Sequence, residues 1–337
     1  IGGVNSPTLE FDRYVVENAL DYLAQDHEKP QLMVVGTYGP HHPYVAPKEL
    51  YEYYYDKVDI PEESFEYPEH PALKGKILRD IDQEVVRAVR AAYYGMVEFE
   101  DQQIGKVYDS FQAYLKRTGH EGVFVYVSDH GDHIGTRGYY GKSTFYEQSA
   151  HTPMIFAGDG IIRGGRIKGA TSLIDLGPTI CELAGAPQIP EANGMSLCRQ
   201  LEGGEDDSSR IVVSELGGEF GVQSKAFSYG QMAKQGQYKL IHFYGFDDQD
   251  VLYDLKSDPN EEINVISKHS DVVDCLRGAM DKSCESMDQI YRNAEILAKN
   301  LPILMKCDLD VPEERWHASE CARHLPEPLV RSKLTVK

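Results

Sequence analysis

The chain has 337 residues, 41% of them hydrophobic and 26% charged, and its formal net charge is −20. That length admits one large α/β domain, or one domain with a smaller companion. The acidic excess argues against nucleic acid or an anionic membrane surface as partner, and no apolar run reaches the length of a transmembrane helix. Near the N-terminus, Phe11, Val15, Ala19 and Leu23, with Val16 and Leu20 beside them, recur at helical spacing and predict an amphipathic helix over Glu10–Ala24. Pro30 introduces Leu32-Met-Val-Val35, expected to be a short buried strand, which opens into the polar loop Gly36–Tyr44. His41 and His42 stand between Pro40 and Pro43, which exclude a helix there. A histidine so presented is either a loop residue near solvent or a rigidly held site residue.

Tyr51–Asp82 is rich in Tyr, Glu, Asp and Pro and reads as a long excursion over the surface. A helical pattern returns over Gln83–Arg117 and is stopped by Gly119. The β-branched and aromatic run Val123–Val127 predicts a buried strand, followed by a glycine-punctuated loop carrying Asp129, His130, Asp132, His133 and Lys142. Open α/β sheets place ligands beyond the carboxyl ends of their strands. Asp129 and His130 are therefore candidate metal ligands and Lys142 a candidate anion contact, the bland alternative being a strand that runs into a polar surface turn. Because the net charge is so negative, an anion site here must gather its positive charge locally. Two successive passages from helix to strand to polar loop predict βαβ units and a parallel sheet.

His151–Phe156 reads as a further strand, and Gly158–Gly169 as a glycine-rich turn. Pro178 and Gly185 mark the first turn and the cap of a helix. Gly203–Ser209 is a linker candidate, after which short strands are predicted over Ile211–Glu215, Gln231–Ala233, Tyr238–Phe243 and Val251–Leu255, as a small antiparallel sheet. A helix of roughly 30 residues is expected from Asp271, and Lys306–Lys337 is a tail of little structural information. The division that follows is residues 1–205 as an α/β domain and residues 206–337 as a C-terminal subdomain. Six cysteines show no CxxC pairing and no zinc-like spacing, so reduced thiols are the better reading.

With the segments in this order, the chain resembles the sulfatase family of the alkaline-phosphatase-like superfamily. Gly39-Pro-His-His-Pro-Tyr44 is similar to the family's Pro-His-x-Pro loop, and Tyr93–Gly105 to the helix that precedes its metal strand. Ser128-Asp-His-Gly-Asp-His-Ile-Gly135, Gly141-Lys142-Ser-Thr and Thr152-Pro153 form the strongest block. Asp175-Leu-Gly-Pro-Thr, Ala184–Pro187, Asn193–Leu197, and Leu252-Tyr-Asp-Leu with Asp258-Pro-Asn-Glu and Asn264 follow in family order. The resemblance covers about Asp12 to Ile266. It implies an α/β fold with a mostly parallel sheet flanked by helices, and a smaller C-terminal α+β subdomain.

The resemblance also implies that Asp129 and His130 ligate a divalent cation, usually Ca2+ in these enzymes, with Mg2+ or Mn2+ as alternatives. Lys142 and His41 would bind the sulfate or the leaving-group oxygen, with His42 as the neighbouring alternative to His41. These residue types suit the chemistry. A hard cation takes carboxylate oxygen and withdraws charge from ester oxygens, lysine offers a compact cation to a tetrahedral anion, and histidine can protonate a departing oxygen. Asp132 and His133 match no direct ligand role and are expected behind the ligands or at the surface.

One departure is large. The family's Cys/Ser-x-Pro-x-Arg motif, source of the formylglycine nucleophile, and the early strand ending in paired aspartates are both absent from this sequence. The expectation is therefore the C-terminal portion of a sulfatase, without turnover of its own. Its partner class is a small-molecule or carbohydrate sulfate ester, not nucleic acid or membrane, and a homo-oligomer is compatible with the sequence. A phosphodiesterase or phosphonate monoester hydrolase of the same superfamily, and a non-catalytic binding protein, are the rival readings. Compartment stays open, the reduced thiols leaning towards the cytoplasm.

Overall fold

A computed structural model describes residues 1–60, 70–73, 81–217 and 229–283. Residues 1–280 form one compact unit, and a second unit begins at Asp281. The predicted tail from Lys306 and the helix expected beyond Ser283 lie outside the described residues, as does much of the Tyr51–Asp82 excursion.

The first unit begins with a helical layer. Helix α1 (Pro7–Leu23) starts where Ser6 caps the Leu9 N–H and Pro7 takes the first helical position. Its buried stripe is Leu9, Asp12, Val16, Ala19 and Leu23, one face of a 3.6-residue period except for the aspartate. Strand β1 (Gly2–Gly3) pairs in parallel with β2 (Val45–Ala46), and α2 (Lys48–Tyr55) follows at once. Helix α3 (Gln83–Thr118) runs for 36 residues, capped by Asp82 on the Glu84 N–H and ended by Gly119 at φ 71°. That left-handed terminus is one glycine adopts without a Cβ penalty. Towards its C-terminal end, α3 packs Val107 and Tyr114 on Val16, Ala19 and Leu23 of α1. Each such aliphatic side chain, fully buried, stabilises the fold by about 1.5–3 kcal/mol. Nearer its start, α3 supplies Val89 and Ala92 to a second cluster with Tyr44 and Ile134.

Strand β3 (Val123–Val127) pairs antiparallel with β4 (Met154–Gly158), Val125 opposite Phe156. The parallel sheet expected from helix–strand alternation concerns Leu32–Val35 and Val123–Val127, not this pair; the parallel pairing among the described residues is that of β1 with β2. The helical segments between β3 and β4 are short, a single turn at Thr136–Gly138 and the four-residue α4 (Glu147–Ala150). The run Leu32–Val35, expected to be a buried strand, joins no ladder among the described residues. Met33 and Val35 pack on the α1–α3 layer, while Leu32 and Val34 on the opposite side are 71% and 84% exposed. The run is apolar on both sides, and the described residues cover one of them.

Helix α5 (Leu176–Leu183) carries Pro178 in its first turn, and Gly185 follows at φ 61°, as predicted. After α6 (Cys198–Leu201) comes an antiparallel sheet of β5 (Ile211–Gly217), β6 (Tyr229–Gln235), β7 (Tyr238–Phe243) and β8 (Val251–Asp254) in that spatial order. Alternation sorts its faces. Ala233, Leu240 and Leu252 meet Val273, Leu276 and Met280 of α7 (Ser270–Ser283). Met232, Ile241, Phe243 and Tyr253 meet Tyr139, Phe145 and Tyr146 from the segment between β3 and β4. The four-stranded sheet thereby backs the loop in which Asp129, His130 and Lys142 lie. No helix of the described residues is long and apolar enough to cross a membrane.

Candidate functional site

The loop after Val35 is anchored at its root by α1. Asp12, only 1% exposed, accepts the Tyr38 N–H on one carboxylate oxygen at 2.6 Å and the Gly39 N–H on the other at 3.0 Å. Hydrogen bonds to a carboxylate each contribute about 1.5–3 kcal/mol, so the loop is fixed just before its histidines. Glu100 of α3 packs against the same turn, since a Cβ on Gly39 would stand 2.3 Å from its Oε1. Both Gly39–Pro40 and His42–Pro43 are cis. Nδ1 of His41 lies 2.8 Å from the His42 carbonyl. A carbonyl can only accept, so Nδ1 carries the proton and Nε2 the lone pair. That Nε2 is 3.3 Å from Nζ of Lys142.

The other half of the cluster comes from the carboxyl end of β3. Nδ1 of His130 is 2.9 Å from the Gly131 carbonyl, and by the same reasoning Nε2 carries the lone pair. It lies 2.7 Å from Nζ of Lys142. Asp129 accepts the His130 N–H at 3.0 Å and presents its second oxygen 3.5 Å from His130 Nε2. Gly131 passes so close to α4 that a Cβ would sit 2.1 Å from the Gln148 carbonyl oxygen, and its N–H is held by the Ser149 carbonyl at 2.8 Å. Lys142 is flanked by Gly141 and Ser143, both in the left-handed region at φ 70° and 72°. Such a kink is unfavourable for serine and reverses the chain so that the lysine faces both imidazoles.

Lys142 thus bridges His41 and His130, whose rings are 5.7 Å apart, and Asp129 borders the same cluster. The His42 ring lies 4.1 Å from that of His41, tilted by 34°. Burial first, and then the neighbouring His41, push its imidazole below the ordinary histidine range. Asp132 organises the loop. It accepts the Tyr44 hydroxyl on both oxygens at 3.0 Å, and the N–H groups of Ile134 and Gly141 at 2.9 and 3.0 Å. His133 is fully buried, with Nε2 2.7 Å from Thr144 Oγ1. His133 is thus in the interior and Asp132 half-buried.

Two donors suit one edge of a hard cation's shell. Oxygen and nitrogen at about 2.4 Å from a calcium ion and at right angles would stand about 3.4 Å apart, close to the 3.5 Å between Asp129 and His130. Among the described residues no group of three or more His, Cys, Asp or Glu is placed to hold a metal. The lone pair on His130 Nε2 serves either Lys142 or a cation, because imidazole offers one lone pair there.

Asp12 and Glu100 were not singled out by sequence reasoning. The signal available was a carboxylate on an apolar helical stripe: Asp12 between Leu9 and Val16, and Glu100 between Met96 and Val107. A charged group in such a position is buried only with a partner or a task.

The family model described as Sulfatase matches residues 4–186, and that described as N-sulphoglucosamine sulphohydrolase, C-terminal, matches residues 135–286. The chain is 29% identical to a choline-sulfatase of Rhizobium meliloti over 79% of its own length and 53% of that protein's. It spans between 53% and 61% of the length of three curated relatives it matches. Among solved structures, a 2-O GAG sulfatase superposes with a TM-score of 0.66 at 22% identity, covering 88% of this chain and 66% of that one. A phosphonate monoester hydrolase of Agrobacterium radiobacter superposes with a TM-score of 0.65 at 24% identity, covering 83% and 61%. These likenesses show the α/β, alkaline-phosphatase-like fold.

Proposed function

Because the chain belongs to the sulfatase family, we propose that it carries part of the active site of a metal-dependent sulfate monoester hydrolase. The observation that carries this reading is the convergence of Lys142 Nζ on His41 Nε2 and His130 Nε2, at 3.3 and 2.7 Å. In it, Asp129 and His130 hold a divalent cation, with calcium the natural choice for a site opened by a carboxylate. Bound there, the cation would polarise the ester oxygens. Lys142 turns its charge to the tetrahedral anion, and His41 donates from Nε2 to the departing oxygen once protonated. The nucleophile is not among these residues, since no Cys/Ser-x-Pro-x-Arg motif occurs in the sequence, and the chain on its own is expected to give no turnover.

Sulfated carbohydrates and small sulfate esters are the substrate class this reading favours. One solved neighbour is a complex with D-glucosamine-2-N,6-O-disulfate as its substrate, and a curated relative is a choline-sulfatase. The likeness to phosphonate monoester hydrolases supports a second reading, in which the same lysine and histidines take a phosphonate or phosphate ester.

Calorimetric titration tests the proposal directly on the purified chain. Calcium is expected to bind the wild type and to be lost in Asp129→Ala, and inorganic sulfate to bind the wild type and weaken at least tenfold in Lys142→Met. Unchanged calcium affinity in Asp129→Ala, or unchanged sulfate affinity in Lys142→Met, would overturn the assignment of that residue. Release of sulfate from an aryl sulfate by the chain alone would overturn the statement on turnover.

A further inference from the structure

We propose that Glu100 and Asp12 form a proton-sharing carboxyl pair that positions His41, and that loss of the shared proton releases the histidine loop. This rests on the reading of His41 as a site residue. Both carboxyl groups are buried, Asp12 at 1% and Glu100 at 4% exposed, and they come from different helices to the same turn. Asp12 accepts one N–H on each oxygen, from Tyr38 and Gly39, which leaves lone pairs free for a further donor. The Glu100 carboxyl lies against Asp12 and the Thr37 side chain, and a Cβ on Gly39, whose N–H Asp12 accepts, would stand 2.3 Å from its Oε1. Two carboxyl groups in contact have only acceptors to offer each other unless one keeps its proton, and a buried pair of like charges does not ionise together.

Among the described residues no lysine, arginine or histidine forms an ion pair with either carboxyl. Arg13, the neighbour of Asp12, turns its guanidinium to Glu10 and Asn5 and lies 5.1 Å over the Phe99 ring. Thr37 in the loop hydrogen-bonds Glu100, and Tyr126 on β3 and Asp101 on its own helix interact electrostatically with this region, none of them positive. Burial, and after it the charge of Asp12, raise the Glu100 carboxyl to about 8. At neutral pH the proton therefore sits on Glu100 and is donated to Asp12, whose other lone pairs hold the loop. Above that range both groups are anionic, they repel across the turn, and the hold on Tyr38 and Gly39 slackens. His41 follows two residues later, so its approach to Lys142 is tied to a proton held one layer beneath it.

The test follows two NMR signals in the full chain from pH 6 to 10, without sulfate or added cation, so that its outcome is independent of the proposed reaction. The Glu100 Cδ resonance, assigned by its loss in Glu100→Gln, should titrate well above the ordinary carboxyl range. The His41 ring resonance, assigned by its loss in His41→Gln, should show an inflection at the same pH. In Glu100→Gln, whose amide donates to Asp12 at every pH, that inflection should disappear while the ring keeps its neutral-pH shift. A Glu100 carboxyl that titrates between pH 4 and 5, or a His41 inflection that survives in Glu100→Gln, would overturn the proposal. Should Glu100→Gln fail to fold, coincidence of the wild-type Glu100 and His41 inflections supports it, with the Cδ signal assigned through its Hγ couplings, and their separation by a full pH unit refutes it.

Discussion

Replacing Lys239 by methionine is expected to remove a large part of the stability of the unit that carries the site. Lys239 is fully buried in β7, with Nζ 2.6 Å from Glu261 and 2.7 Å from Glu147. Glu261 is itself fully buried and accepts the Glu147 N–H at 2.7 Å. Methionine refills most of the volume, so the cavity cost is small. What remains is an uncompensated buried carboxylate, a change that costs about 3–5 kcal/mol when one partner of a buried pair is removed. Glu147 is partly open to water and adds little to that figure.

The pH dependence separates this mechanism from simple loss of packing. Burial outweighs Lys239 and raises the Glu261 carboxyl above its usual range. Without the lysine it rises further. An acid with a raised folded-state value favours folding at low pH and loses that contribution as pH climbs through the folded value. The penalty of Lys239→Met should therefore shrink as pH is lowered from 7 to 5, by up to about 1.4 kcal/mol per unit while Glu261 takes up its proton. Urea denaturation at pH 5, 6 and 7 measures it, and adding Glu261→Gln should recover part of the loss. A deficit below about 1 kcal/mol at pH 7, or one that does not change with acid, would refute the reasoning.

Gly39→Ala should destabilise the chain by about 1–3 kcal/mol, because the new methyl meets the buried Glu100 carboxyl at 2.3 Å; it should also weaken sulfate binding, read by denaturation and calorimetry. Arg210→Met strands Asp175, which is fully buried and bound by Arg210 at 2.6 and 2.7 Å, and should cost about 3 kcal/mol near neutral pH. Burial opposes ionisation of Asp175, but Arg210 and the Met195 and Ser172 N–H groups overcome it and hold the carboxyl below its ordinary value. The wild-type advantage over Arg210→Met should then be present above about pH 4 and fade as pH falls through the folded value, as acid denaturation of both proteins would show.

The parts of the fold that were legible in the sequence are those a local pattern specifies. The stripe of α1, the glycine stop of α3, the proline and glycine of α5, and the alternation that splits Leu240 from Ile241 and Leu252 from Tyr253 all report a period or a terminus. Strand pairing was less legible. Nothing local in Val123–Val127 says that its neighbour runs antiparallel, and Leu32–Val35 is apolar whether or not a partner covers it. The candidate site divides in the same way. Asp129, His130, His41 and Lys142 stand in polar loops, where such residues draw notice. Asp12, Glu100 and Lys239 lie on apolar faces of α1, α3 and β7, where each reads as one polar residue in a hydrophobic pattern.

That contrast has a physical origin. A charged residue on a solvated loop costs nothing to keep, so its presence says little until a neighbour is known. One on a core stripe costs several kcal/mol unless paired, so it persists only where another buried group needs it, and that group lies far along the chain: 88 residues from Asp12 to Glu100, and 92 and 22 from Lys239 to Glu147 and Glu261. Such pairs close only when the helices and the sheet have docked. They tie the two loops of the site to the docked state of the layers behind them, Asp12 and Glu100 holding the turn before His41, and Lys239, through Glu147 and α4, the turn after His130. The convergence of Lys142 on both histidines is then a property of the packed layers rather than of either loop alone.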